Sequence, residues 1–166
     1  MKTQLSVLPL IVLIFIAPHC RSGRAGKGDT SQRAAFYAKM ADTEMRRQLY
    51  ADALQHIDQA ILMDNANRQF YMQRGDINVA AGHLSAAVKN YDEAIAKGKN
   101  DAEAWKVRTT TLLRLYQQQY GVDNAVLLEK KISERERHAL CNSIRASQEV
   151  GVQDEVIQQA QVVLCK

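Results

Sequence analysis

Four histidines and three cysteines are the residues of this chain best suited to hold a metal or act as nucleophiles. Their spacing supports neither role. His19, His56, His83 and His138 are scattered, and no two stand at a separation that would bring two imidazoles to one metal. No nucleophile elbow, zinc motif or calcium loop is present. Met40, Met45, Met63 and Met72 stand at helical spacing and read as packing residues rather than a thioether site for metal. The run Gly26-Lys27-Gly28-Asp29-Thr30 carries some letters of a phosphate-binding loop. Its spacing fails, because Gly28 follows Gly23 by five and Asp29 then stands where the loop needs lysine. The expectation is a non-enzymatic protein with no catalytic residue, no metal and no cofactor.

What the cysteines can do depends on the compartment. Lys2 is the one charge before an almost wholly apolar stretch at 5–17. That length suits the core of a secretory signal and is short for a membrane span. An uncleaved anchor is the alternative. Residues 1–20 are therefore assigned to a signal peptide or lipoprotein signal. Residues 21–33, rich in Gly, Ser and charge, are assigned to a flexible linker. Export implies an oxidising space in which disulfides persist. Cys20 follows Ala17-Pro18-His19, a position that resembles the lipid-modified first residue of a bacterial lipoprotein, although His19 stands where such signals carry a small residue. Either Cys20 carries lipid, or cleavage nearer Ala25 removes it. Both routes leave Cys141 and Cys165 as an even pair. The expected location is exported: periplasmic, tethered to an outer membrane, or secreted.

The remaining residues must position those two thiols. The chain has 166 residues, enough for one domain, and a mild formal charge of +4 spread along its length. No basic block interleaved with aromatics suggests nucleic acid. Pro9 and Pro18 are the only prolines, so nothing after them is barred from helix.

Beyond the linker the sequence repeats. Tyr37 and Tyr71 are 34 apart, as are Ala41 and Gly75, Ala53 and Ala87, Ile57 and Tyr91, Ala60 and Ala94, and Ile61 and Ile95. Trp105 falls 34 after Tyr71. Such a period marks a solenoid of helix pairs. Apolar spacing predicts helices over 34–48, from 49 into the Ala53–Ile61 stripe, over 68–81 and over 84–97. Asn67 and Asp101 are the expected N-caps, and Gly98 suits a left-handed C-cap. The next helix is expected to run about a turn longer than usual, to Gly121. Asp123 is expected to cap a return helix through Ala125, Leu128 and Ile132, one that could run unbroken toward Val150. Gly151 then turns the chain into a final helix over 154–164. Cys141 and Cys165 would lie on the two arms of that last hairpin. Measured from its turn, they are mismatched by about 3 Å at 1.5 Å per residue, so a disulfide is open to them. Two separate free thiols are the alternative.

The pattern resembles the tetratricopeptide repeat family. Tyr71, Gly75, Ala87, Tyr91 and Ala94 meet its aromatic, small, Ala, aromatic, Ala order in place. Tyr37, Ala41, Ala53, Ile57 and Ala60 meet it with one aliphatic exchange. Asn65 and Lys99 stand where the family has proline, and Gln48 stands where repeat two has Gly82. The resemblance implies an all-α solenoid of antiparallel hairpins, about eight helices. Repeats are expected near 34–67, 68–101 and 102–136, with a degenerate C-terminal hairpin at 137–166. It also implies a groove lined by the first helix of each pair. That places Lys39, Asp42 and Arg46, then Met72, Gln73, Asp76 and Val79, then Lys106, Thr110 and Arg114 on it.

Chaperone adaptors of this family hold a C-terminal carboxylate with Lys, Asn and Arg at set places. Here those places read Ala38, Asp42, Gln73, Glu103 and Val107, so that clamp is not built. The expected partner is a protein or peptide, with no nucleic acid. Membrane contact is expected only through lipid on Cys20 or an uncleaved signal. A subunit that self-associates through its repeat ends, as part of a surface or secretion assembly, is the alternative function.

Overall fold

The computed structural model describes residues 27–166. The signal segment, Cys20 and the start of the linker lie outside them. The described residues form α1 (Lys27–Arg46), α2 (Tyr50–Met63), α3 (Arg68–Ala80), α4 (Leu84–Lys97), α5 (Ala102–Tyr120), α6 (Ala125–Glu129), α7 (Glu134–Glu149) and α8 (Glu155–Leu164), with no strand among them.

The expected linker is corrected over residues 27–33, which are helical and extend α1 toward the N-terminus. The reason lies in the hairpin. Thr30 and Ser31 come alongside Met63 and Asp64 at the far end of α2, so those turns have a neighbour to rest on. Asp29 in the first turn also suits the positive end of the helix dipole.

The first two hairpins pack in the same way. Ala53, Ile57 and Ala60 are the buried stripe of α2, and Ala87, Tyr91 and Ala94 are that of α4. Small residues on the first helix of each pair let the arms close. At Gly75 the approach is so tight that an added Cβ would lie 2.4 Å from the Tyr91 ring. Repeat one instead sets Ala41 and Ile57 in one buried cluster.

The 34-residue period extends to the polar contacts between neighbours. The Tyr71 hydroxyl donates to the Asn65 carbonyl at 3.2 Å, and the Trp105 indole N–H donates to the Lys99 carbonyl at 2.9 Å. Asn65 and Lys99 are the two positions that lack the usual proline, and their carbonyls anchor the aromatic ring of the next repeat. Arg74 pairs with Asp58 on α2 at 2.9 Å, and Arg108 pairs with Asp92 on α4 at 2.6 Å. Each guanidinium also lies over its aromatic neighbour, 5.4 Å from Tyr71 and 5.8 Å from Trp105. Tyr71 and Trp105 therefore share these contacts, and Tyr71 has Lys97 over its ring in addition. The caps repeat too: Asn67 accepts from the Gln69 N–H, and Asp101 from those of Glu103 and Ala104. Gln48 takes the left-handed backbone of its counterpart, with φ of 62° against 79° at Gly82. Gly98 is corrected: its φ is −153°, so it ends α4 without a left-handed cap.

After α5 the period breaks. Gly121 does turn the chain in the left-handed conformation, with φ of 62°. The long return helix expected from Asp123 does not form. Asn124, not Asp123, caps the five-residue α6, accepting from the Leu127 N–H at 2.9 Å. Residues 130–133 interrupt the helix. Ser133 then starts α7 with a capping box closed by Glu136, and this local start signal competes with helix continuation. It is α7 that packs along α5, so the third hairpin is α5/α7 with 121–133 inserted between its arms. This replaces the expected boundary at 136.

The α5/α7 contact is partly polar. Thr109, standing where the family has a small residue, is buried with its hydroxyl 2.7 Å from the Ser143 hydroxyl. Leu128, Leu140, Ile144, Ile157 and Leu164 form the apolar core around it. α8 lies across α6 and α7, and the Cys141–Cys165 disulfide ties it there with the Cα atoms 5.6 Å apart.

Candidate functional site

The resemblance places the inner face on α1, α3 and α5, the first helices of the hairpins. α1 and α3 touch directly, and Tyr71 and Met72 of α3 share a buried cluster with α4 and with Ala104 of α5. The exposed face that α3 and α5 present is the candidate site.

The ten expected groove residues separate into several groups. Met72 is buried in the cluster with Tyr71, Ala87 and Tyr91, so it packs the wall rather than facing a ligand. Gln73 donates from its amide to the Ala38 carbonyl at 2.7 Å and is occupied in joining α3 to α1. Asp42 and Arg46 pair with each other along α1. Thr110 turns its hydroxyl back to the Lys106 carbonyl at 3.0 Å, and the Lys106 ammonium lies 3.7 Å from Asp154. Val79 is half-buried. Lys39 lies on the outer edge of α1, beside Phe36 and Met40. Asp76 and Arg114 are exposed, and among the described residues neither has an ion-pair partner within 4 Å.

The centre of the site contains a residue that the sequence reading placed only in the core. The Tyr91 ring crosses the gap left by Gly75, and its hydroxyl donates to Asp76 at 2.7 Å. Burial raises the Tyr91 pKa most, and the Asp76 carboxylate adds to that, so the phenol stays a neutral donor. Asp76 is exposed as a residue, yet surrounding protein displaces water from its carboxyl and raises its pKa. The Tyr91 hydrogen bond opposes that rise, and repulsion from Glu103 adds to it. Glu103, in the first turn of α5, and Arg114, about three turns further along it, both act on Tyr91 electrostatically. The Asp76–Tyr91 hydrogen bond is thus the fixed point of this face, with an acid and a base of α5 spaced along it. The spacing signal was present in the sequence: the Gly75–Tyr91 pairing opens the gap that Ala41 and Ile57 would fill.

A second contact was also missed. His56 Nδ1 lies 2.5 Å from the Glu44 carboxylate, and its ring stacks on Tyr37 with centroids 6.0 Å apart. This contact braces the first hairpin. Among the described residues no cluster of His, Cys, Asp and Glu could hold a metal ion.

No family model matches the sequence, and no curated protein is significantly similar to it. Solved structures do match. The Arabidopsis OM64 TPR domain superposes with a TM-score of 0.60 at 13% identity, covering 81% of this chain and 96% of that one. The first TPR of Spaghetti (RPAP3), bound to the HSP90 peptide SRMEEVD, gives 0.60 at 11% identity, covering 80% and 91%. The Yersinia enterocolitica type III secretion chaperone SycD, in complex with a peptide of the translocator YopD, gives 0.55 at 12% identity, covering 81% and 88%. The chain has the tetratricopeptide-repeat fold.

Proposed function

We propose that this protein is a non-enzymatic scaffold that holds a segment of a partner protein between α3 and α5, in an envelope or secretory compartment. The observation that carries this reading is the Asp76–Tyr91 hydrogen bond between α3 and α4, beside exposed Asp76 and Arg114 side chains that have no ion-pair partner among the described residues. A rigid wall with charges of both signs and exposed side chains is what an extended or helical peptide needs for orientation. Two structures of the same fold, the Spaghetti domain and SycD, contain bound peptides. The carboxylate clamp is absent here, with Asp42 and Glu103 in two of its places, so recognition rests on other groups.

The compartment is supported by the Cys141–Cys165 disulfide and by the apolar stretch at 5–17. Tethering by lipid on Cys20 and release by cleavage near Ala25 predict different masses. Intact mass of the protein from its own host decides between them and reads the disulfide in the same spectrum.

Site-specific photo-crosslinking in that host tests the binding reading. Photoreactive residues in place of Arg114 and Val79 should capture one protein partner, and one in place of Glu93, an exposed position of α4, should not. Equal capture from all three positions, or none from the inner pair, overturns it.

A further inference from the structure

The 34-residue offset identifies a second surface. α3 docks on the first hairpin through Phe70 and Ile77, which enter that hairpin's core, through Gln73 on the Ala38 carbonyl, and through Arg74 on Asp58. The counterparts of these residues on α1 are Phe36, Thr43, Lys39 and Met40. No hairpin precedes α1 among the described residues to receive that face. Phe70 is 7% exposed, whereas Phe36 is 60% exposed. Phe36, Lys39, Met40, Thr43, Glu44 and Arg47 line a shallow depression of about 340 Å³. End units of a solenoid usually present a polar outer face. This one instead keeps the shape and the aromatic of an interior interface.

We infer that this face pairs with the same face of a second copy, α1 against α1, antiparallel about a two-fold axis passing between Met40 and Thr43. An isologous contact requires a self-complementary surface, and the order of residues along α1 supplies one. In that register Phe36 meets the partner's Arg47, a guanidinium on an aromatic face. Lys39 meets the partner's Glu44, opposite charges in contact. Met40 meets the partner's Thr43 next to the axis. Glu44 is fixed by His56 at one oxygen, and its side chain lines the depression. Position 40 carries Met where Arg74 and Arg108 each seek an aspartate, so this face needs no acid at its centre. Head-to-tail stacking is the competing arrangement. The far end offers no equivalent of α2 for it, because α8 is folded across α6 and α7 and bonded there.

Sedimentation equilibrium of the exported chain tests the pairing. The native protein should sediment as a dimer whose dissociation follows dilution. Phe36→Arg, which removes the aromatic and sets a second cation against the partner's Arg47, should weaken it by about a hundredfold or more. Lys39→Glu, which sets like charges together on an exposed position, should weaken it without touching the core. Val162→Asp, at an exposed position of α8 at the other end, should leave it unchanged. A native protein that stays monomeric at every concentration overturns the inference. So does a dimer that Lys39→Glu leaves intact, or one that Val162→Asp dissociates. Unchanged helical circular dichroism qualifies each variant. Should Phe36→Arg unfold, Lys39→Glu decides alone.

Discussion

In the first two hairpins the contacts between neighbours recur after 34 residues, whereas in the C-terminal part the period is broken by an insert and a covalent bond joins the last helices. The repeating part holds itself by small residues on one arm facing Ala, Ile or Tyr on the other, with an Arg–Asp pair and an anchored aromatic at each junction. The C-terminal part has a Thr109–Ser143 contact in place of the small-residue seam, a five-residue α6, and the Cys141–Cys165 bridge. The difference shows where each region's stability resides. A repeat shares its interface with the next repeat. Among the described residues no further repeat packs on the α5/α7 hairpin, and α8 with its disulfide lies there instead.

Breaking the bridge should have the largest effect. Replacing both Cys141 and Cys165 by Ser removes a cross-link spanning 24 residues of sequence. The expected loss is about 3 kcal/mol, from the loop-closure entropy of the unfolded chain. Denaturant unfolding measures the loss, and hydrogen exchange locates it. Amides of α7 and α8 should lose protection while those of α1 to α4 keep theirs. Uniform loss across all helices would mean that the two regions unfold as one unit.

Gly75→Ala comes next and tests the other region. The new Cβ would sit 2.4 Å from the Tyr91 ring, which is itself fixed by Asp76. Overpacking of this kind costs about 2 kcal/mol. Adding Tyr91→Ile imports the Ala41–Ile57 pairing of repeat one into repeat two. The double variant should recover most of the loss in thermal unfolding while giving up the hydroxyl at the groove centre. If the double variant is no more stable than Gly75→Ala, the two hairpins do not share one packing rule.

The repeating part was legible because its letters recur. Tyr37, Tyr71 and Trp105 fix the period, and the Asn67 and Asp101 caps fix the helix starts. The C-terminal part was less legible for a local reason. Lys130 and Lys131 carry no stop signal, and the capping box of Ser133 and Glu136 decides the break only once Leu128 is drawn into the core. The N-terminal end of α1 was missed because Gly, Ser and Thr at 28–31 read as linker until Met63 and Asp64 are placed beside them. At the site, single positions were chosen by their register on one helix. Gln73 and Met72 show the limit of that choice, since contacts across helices occupy the first and bury the second.

A smaller gain is expected at Gln48. Its φ of 62° lies in the left-handed region that its counterpart Gly82 occupies without cost. Gln48→Gly should stabilise the first hairpin by about 1 kcal/mol, less whatever entropy glycine restores to the unfolded chain. A rise in melting temperature confirms the strain. A fall means that the unfolded-state entropy outweighs it.

The smallest effect separates the regions by the sign of their response to acid. Glu136 accepts hydrogen bonds from Ser133, Tyr120 and Gln119, which hold its carboxyl down to about 2, against an ordinary value of 4.5. A carboxyl depressed in the folded state contributes stability above its unfolded value and loses it as pH falls through the folded one. The C-terminal part should therefore weaken between about pH 4.5 and 2. Solvent screening limits the amount to about 1 kcal/mol. Asp76 works in the opposite sense. Its pKa is raised from 3.8, chiefly by burial, so its protonated form favours folding, and that contribution is lost as pH rises through the folded value. Acidification should thus loosen α7 while relieving repeat two. Hydrogen exchange at pH 3 and at pH 6, corrected for intrinsic rates, reads both regions in one sample. Glu136→Gln should flatten the change in α7, and Asp76→Asn should flatten it in α3 and α4. Parallel loss in both regions in the parent protein would show that acid acts through overall charge rather than through these two carboxyls.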